Sequence, residues 1–368
     1  MTPPKSPSPN RLSRRYFLRL GKIGLGAAAC LSLPPLSGYG RATGSFAPGE
    51  ALAYLSRPPA FAPGQQGRVL EDNITVYDVP STSGNRINTY WRDSVMPLTG
   101  AAISEDTDSH NRIWYRIAEE GYAHSAAIQP VRTSLNTPIE QIPTGGALAE
   151  VSVPFTDARW GPGDRHASAY RFYYETTYWV IRLVYGPNGE PWYGILDDKW
   201  EYTFYAPARH LRLLSTEELG PLSPQVPSEA KRLEVRISEQ VMIAYEWGKP
   251  VFMDRVATGA KFSNGDFSTQ PGRYITFHKR PSRHMATGNL AANGYDLPGV
   301  PWNCYITESG VAFHGTYWHN NFGLPRSHGC INLIPQAARW VFRWTMPTVP
   351  PNKQVAYDTS GTAVDIIA

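Results

Sequence analysis

His314-Gly315-Thr316, followed after a short loop by Ser327-His328-Gly329-Cys330-Ile331-Asn332-Leu333, places one thiol near two imidazoles. A cysteine attacks a carbonyl carbon as its thiolate, and a neighbouring imidazole can take the proton and hold the ion pair at neutral pH. The residues therefore point to acyl transfer through a thioester. With 3 Cys, 32 Gly and 9 His in 368 residues, a His-Gly-Cys run is expected by chance roughly 0.006 times. Accident is a poor explanation.

The same residues resemble the L,D-transpeptidase family (the YkuD-type domain), in which a His-Gly pair precedes a Ser/Thr-His-Gly-Cys-aliphatic-Asn/Arg run. The resemblance covers 231–358, and Thr269-Gln270-Pro271-Gly272 departs slightly from the Thr-Pro-x-Gly usual there. It implies that Cys330 is the nucleophile and His314 its general base, with the Gly315 carbonyl fixing the imidazole tautomer. His328, inside the turn, holds loop geometry or tunes the thiol. Gly329 suits a positive φ, and the amides of His328, Gly329 and Cys330 are the implied oxyanion donors. Ser327 and Asn332 hydrogen-bond either the turn or the substrate, turn chemistry alone being an equal alternative. Asn332 stands where many relatives carry arginine, which leaves open how a substrate carboxylate is held, with Arg326, just before the motif, as the candidate substitute.

Tyr317, Trp318, His319 and Asn320 occupy the loop of 12 residues between His314 and Ser327, where the family places part of its substrate wall. Met285, beside His284, falls where the family has lid residues that line the pocket. The implied chemistry starts when a peptidoglycan tetrapeptide stem acylates Cys330 and releases D-alanine. An amine from a second stem then gives a 3→3 cross-link. Water as acceptor gives L,D-carboxypeptidase activity, and some relatives attach proteins to the wall. This chemistry requires no cofactor. The implied partners are peptidoglycan stem peptides and glycan, and the sequence leaves the oligomeric state open.

Outward from the motif, Leu233 to Ser238 and Val241 to Glu246 alternate apolar and polar residues before the Trp247-Gly248-Lys249-Pro250 turn, as a hairpin does. After Cys330, the run from Pro335 to Trp344 is expected as a helix, with Pro335 in its first turn and Ala337, Ala338, Val341 and Phe342 at helical spacing. Upstream, 67–136 holds short β-like runs that end in Trp114-Tyr115, Gly121-Tyr122-Ala123 and Gln129-Pro130-Val131, a text that resembles a bacterial SH3-like module. Trp192-Tyr193-Gly194 and Tyr205-Ala206-Pro207 repeat that ending, so a second, diverged module is expected over 145–216. The aromatics Trp91, Trp114, Trp160, Trp179, Trp192 and Trp200 read as β-core packing in preference to sugar-stacking platforms.

The expected fold is therefore mainly β: a C-terminal L,D-transpeptidase-type β-sandwich with a short helix after the catalytic cysteine, preceded by two small SH3-like β-barrel modules. A linker at 43–66, a Pro-rich linker at 217–230 and a tail at 359–368 complete the expected order. The 33 Pro, 32 Gly and 12% aromatic residues agree with short strands and many turns.

Ser13-Arg14-Arg15-Tyr16-Phe17-Leu18-Arg19 and the apolar stretch after it read as a twin-arginine export signal over 1–42, with cleavage near Ala42. Ala27-Ala28-Ala29-Cys30 is the lipoprotein alternative. The expected location is the cell envelope, periplasm or cell wall, reached through the twin-arginine export machinery, with a membrane tether as the variant reading. The signal holds seven Lys or Arg and no acid, so its removal takes the net charge from +4 to −3. A chain without basic excess is a poor partner for nucleic acid. Two rival chemistries use the same residues. Cys304 could close a disulfide with Cys330. Alternatively, His314, His319, His328 and Cys330 are of the types zinc takes, although their spacing fits no zinc pattern.

Overall fold

The computed structural model describes residues 61–288 and 294–368. The expected export signal, the lipoprotein alternative at Cys30 and most of the first linker lie outside the described residues.

Module 1 is a seven-stranded antiparallel sheet of β1 (Gln66–Val69), β2 (Asn73–Tyr77), β3 (Arg86–Trp91), β4 (Val95–Ile103), β5 (Ile113–Ile117), β6 (Gly121–His124) and β7 (Ile128–Val131), in the order β3-β2-β6-β5-β4-β1-β7. Module 2 is built of β8 (Ala147–Val151), β9 (Phe155–Arg159), β10 (Ser168–Tyr173), β11 (Thr177–Tyr185), β12 (Pro191–Leu196), β13 (Thr203–Pro207) and β14 (Leu211–Leu213), in the order β10-β9-β13-β12-β11-β8-β14. The second order is the first repeated strand for strand, down to a 3-10 turn before the last strand, Ser125–Ala127 in one and Ala208–His210 in the other. The repetition read from the sequence is thus a repetition of topology.

Period-two alternation explains each core: Ile74 and Val76 of β2, and Met96 and Leu98 of β4, point inward to Val69, Ile117 and Ile128. Module 2 encloses Val151, Ala158, Phe172, Val180, Ile195 and Phe204 in the same way. Trp114, Trp179 and Trp192 are buried, as core packing requires, whereas Trp91, Trp160 and Trp200 are exposed. The expectation of core packing therefore fails for those three.

The C-terminal domain has two five-stranded sheets. The first contains β15 (Lys231–Arg236), β16 (Val241–Glu246), β17 (Lys249–Arg255), β20 (Gly272–Ile275) and β26 (Ala363–Ile367), ordered β17-β16-β15-β26-β20. The expected hairpin is β15–β16; Trp247 and Gly248, both at positive φ, make the tight turn into β17. A small ribbon pairs β18 (Lys261–Phe262) with β19 (Gly265–Asp266). The second sheet contains β21 (His278–Thr287), β22 (Tyr295–Tyr305), β23 (Ala312–Gly315), β24 (Ile331–Leu333) and β25 (Ala356–Tyr357), ordered β24-β23-β22-β21-β25. Leu233, Val235, Met242 and Val364 of one sheet meet Trp302, Cys304, Phe313, Ile331 and Leu333 of the other in a shared core.

The tail expected at 359–368 is corrected. Val364 and Ile366 point into the core, and β26 lies between β15 and β20, parallel to the first and antiparallel to the second. The 217–230 linker also differs from expectation. The single turn α1 (Thr216–Leu219) overlaps its start, closed by a capping box between Ser215 and Glu218. Past that turn, Arg343 donates to the Gly220 carbonyl at 2.7 Å and Lys231 to that of Leu222 at 3.0 Å.

Helix α2 (Pro335–Trp344) spans the expected residues and buries Ala337, Ala338, Val341, Phe342 and Trp344 against the second sheet. Its C-terminal carbonyls are met by two lysines. Lys279, fully buried, donates to Phe342 and Thr345, and Lys231 donates to Trp344. Cations suit the negative end of a helix, although burial still pulls Lys279 down to about 8.

Candidate active site

β23 and β24 run parallel with Phe313 opposite Ile331, His314 opposite Asn332 and Gly315 opposite Leu333. Side chains alternate along a strand, so Phe313, Ile331 and Leu333 enter the core. Alternation puts the imidazole and the motif asparagine on one face, and the thiol stands at the entry to β24, beside the Gly310 carbonyl. It also separates the two cysteines: Cys304 is opposite Phe313 and is fully buried, with its sulfur 3.8 Å from Thr345 Oγ1. Both cysteines are free, and the core-facing side chain of Cys304 is directed away from Cys330.

The turn that presents Cys330 is held from a distance. Gly329 has φ +114°, a conformation that favours glycine. Its carbonyl accepts from Thr269 Oγ1 at 2.8 Å, and that hydroxyl accepts from the Gly259 amide at 2.8 Å. A Cβ on Gly259 would come within 2.0 Å of the Phe267 carbonyl oxygen and 2.9 Å of Gly329 Cα. Only glycine allows that approach. Because Thr269 fixes the Gly329 carbonyl, the Cys330 amide across the same trans peptide points the opposite way, as an oxyanion donor must. Ser327 Oγ donates to the Cys330 carbonyl at 2.5 Å and accepts the Gly329 amide at 3.2 Å. That second bond removes Gly329 from the expected trio of oxyanion donors, and it shows Ser327 in turn chemistry.

His314 is buried, and its Nδ1 lies 3.0 Å from the Gly315 carbonyl. A carbonyl can only accept, so the proton sits on Nδ1 and Nε2 is left as the base. Burial lowers His314 to about 4 and raises Cys330 to about 11 against a small opposing pull from the Ala312 amide. Cys330 keeps a partly exposed surface, and its thiol lies 3.6 Å from the Gly310 carbonyl. Burial thus favours the neutral form of each group, the opposite of the direction that a standing thiolate–imidazolium pair needs. Proton transfer belongs to the attack itself.

The remaining expected residues divide. Trp318 lies against His314, ring centroids 5.7 Å apart. His328 faces outward, stacked on Phe262 at 4.8 Å and near Phe267 and Tyr295, so it neither reaches the interior nor joins His314 as a zinc ligand. Among the described residues no group of three His, Cys, Asp or Glu is arranged to hold a metal. Tyr317 and His319 are buried and are not surface wall. Tyr317 donates to the Pro298 carbonyl at 3.1 Å. His319 Nε2 meets the Asn332 carboxamide at 2.9 Å and its Nδ1 accepts from the Asn321 amide, while burial lowers it to about 3. The other polar atom of the Asn332 carboxamide is buried without a partner. Arg326 pairs with Glu71 of module 1 at 3.8 Å and is exposed. Met285 is half-buried on β21 opposite Leu297.

Sequence reasoning did not find Thr269 and Gly259 as the support of the turn, nor Tyr295 and Tyr305, which lie close enough to Cys330 for a thiolate there to disfavour their own ionisation.

A thiol, an imidazole of fixed tautomer and a backbone amide directed away from the Gly329 carbonyl are the groups that acyl transfer through sulfur uses. In agreement, residues 230–366 match the YkuD family, the L,D-transpeptidase catalytic domain. Among solved structures, the chain is similar to an L,D-transpeptidase from Mycobacterium smegmatis, with 23% identity over 38% of this chain and 59% of that one, at a TM-score of 0.31. It is similar to the C442S mutant of the Enterococcus faecium L,D-transpeptidase at 22% identity, over 38% and 50% of the two chains, with a TM-score of 0.29. L,D-transpeptidase 3 from Mycobacterium tuberculosis, in complex with a faropenem-derived adduct, gives 21% identity over 38% and 60%, with a TM-score of 0.30. The chain spans less than two thirds of the length of each of these three. No curated protein matches.

Proposed function

We propose that this protein is an exported peptidoglycan L,D-transpeptidase that forms 3→3 cross-links through a thioester on Cys330. The observation that carries the reading is the pairing of β23 with β24, which sets His314, its Nδ1 committed to the Gly315 carbonyl, opposite Asn332, two residues past Cys330. His314 Nε2 takes the thiol proton as sulfur attacks the carbonyl of the third stem residue. The Cys330 amide meets the oxyanion, and the imidazolium returns its proton to the leaving D-alanine amine. A second stem's amine then displaces sulfur, its proton passing to His314 and on to the thiol. The two N-terminal modules are SH3-like in this reading, and they address the protein to stem peptide or glycan in the cell envelope after twin-arginine export.

The test is incubation of the reduced protein from Thr43 onward with disaccharide-tetrapeptide fragments, beside a Cys330→Ala control, with products read by mass spectrometry. Dimers absent from the control are the expected result, whereas tripeptides alone would make the acceptor water. If several stem types give neither product nor an adduct on Cys330, a peptidoglycan-binding protein without turnover becomes the better reading.

A further inference from the structure

Arg68 of β1 carries a charge that is almost wholly buried, 3% exposed, far in sequence from the thiol site. Its guanidinium is held on every side. Nη1 pairs with Asp93 at 2.8 Å, Nε and Nη2 donate to Gln129 Oε1 at 3.2 and 2.8 Å, and the plane lies over the Tyr173 ring, 4.1 Å from its centroid. The remaining bond leaves the module: Nη2 donates to the Tyr317 carbonyl at 2.6 Å. Asp93 in turn accepts from Arg171 and Tyr173 of module 2, and Tyr173 stacks on Tyr317. Three parts of the chain meet at this one cation.

What lies beyond Tyr317 gives the contact its meaning. The next residue, Trp318, rests on His314, and the one after, His319, holds Asn332. Asn320 closes the same loop onto module 1, its side chain donating to the carbonyls of Ser125 and Ile128 at 3.1 and 3.0 Å. A loop of that length has no regular structure of its own to fix these directions. Burying a guanidinium is costly unless its donors are used, and here one donor is used on the peptide just before the two residues that touch the base and the motif asparagine.

We propose that Arg68 is a positioning residue for the thiol–imidazole site: by fixing the Tyr317 carbonyl it sets Trp318 against His314 and His319 against Asn332. The site of the C-terminal domain is therefore complete only with module 1 seated. This inference deepens the proposed transpeptidase reading and rests on it for its turnover arm.

Arg68→Lys keeps a cation for Asp93 but cannot also span Gln129 and Tyr317, and Arg68→Met removes the charge. Two readouts are compared with the melting temperature: the pH profile of iodoacetamide alkylation at Cys330, and kcat and KM on disaccharide-tetrapeptide. For Arg68→Lys we expect a folded protein, an alkylation profile displaced from that of the parent, and kcat lowered about tenfold to a hundredfold with KM little changed. A variant that keeps the parental profile and kcat overturns the proposal. So does one whose activity falls only in step with its folded fraction. If Arg68→Met unfolds, Arg68→Lys decides. If the parent protein turns over no stem, the function reading fails, yet the alkylation profile still tests Arg68.

Discussion

Modules 1 and 2 have the same seven strands in the same order, but they touch the C-terminal domain by different surfaces. Module 1 grips the loop after His314, through Arg68 to Tyr317 and through Ser125 and Ile128 to Asn320. Module 2 grips the β21–β22 hairpin. There, Thr177 exchanges hydrogen bonds with Pro281 and Ser282, Tyr178 donates to Pro298 at 3.2 Å, and Lys199 donates to Ala286 at 2.6 Å. Module 2 also lends Leu148 and Trp179 to the C-terminal core. A duplicated topology has thus been put to two uses, and the difference lies in a few side chains, buried against the C-terminal domain, on a common frame. Each copy steadies a different segment of the C-terminal domain.

The two attachments also differ in charge chemistry, which offers ways to separate them. At the module 2 junction, His284 is buried between Asp197, 2.6 Å from its Nδ1, and Asp296, with Tyr170 donating to Asp296. Asp198 receives the His284 amide, Arg280 and Arg283 beside it. Burial disfavours the imidazolium, but the bonds to Asp197 and Asp296 outweigh it and hold His284 above its usual value. Burial likewise opposes the Asp197 carboxylate, and the His284 bond leads the groups that hold it below its usual value.

The largest effect is expected at the node both modules share. Asp93→Ala strips Arg68 of its buried partner and Arg171 of one of its two, and should cost about 3–5 kcal/mol in urea unfolding. A loss below about 1 kcal/mol would mean that the modules do not meet through this charge.

Next comes the pH response of the module 2 clamp. Stability from a raised histidine is full below its unfolded value, about 6.5, and fades as pH rises through the higher folded one. That from the lowered Asp197 is full above about 3.9 and fades as pH falls. The margin of the parent over His284→Gln should therefore peak between about pH 4 and 6.5 and narrow on both sides. Arg68 stays charged throughout that range, so the margin over Arg68→Met should stay flat there. Equal pH curves for the two variants would erase the distinction between the junctions.

The smallest effect is expected from Arg326→Ala. Its partner Glu71 is solvent-exposed like itself, and calorimetry should register a change within about 0.5 kcal/mol. A larger loss would shift the grip of module 1 from the buried arginine to its rim.

The motif made much of the site legible. Asn332 comes two residues after Cys330, and His314 faces it because β23 pairs with β24. The Gly315 contact needs only the neighbouring residue. Thr269 and Gly259 escaped because they support the turn from about sixty residues upstream, and no local pattern reports such a contact. Arg68 escaped for the same reason: an arginine in a short strand reads as solvated until Tyr317 arrives from 249 positions away. Tyr317 and His319 were placed on the substrate wall because the family that the motif resembles puts part of its wall in this loop, yet here two modules cover it. The mistaken tail had its signal in plain view, since Val364 and Ile366 alternate with Ala363 and Asp365 as a strand should.

That last strand bears on how the protein is made. β26 reaches back to Arg232–Arg236, so the first sheet gains its inner partner for both β15 and β20 only after Ile367 has been synthesised. Until then the two strands present open edges, and the closure joins segments more than 120 residues apart, a kind of contact that forms slowly. The nascent chain can assemble both modules early while the domain that carries the thiol is still unfinished. Reactivity at Cys330 would then appear last, after the scaffold that steadies it is already in place.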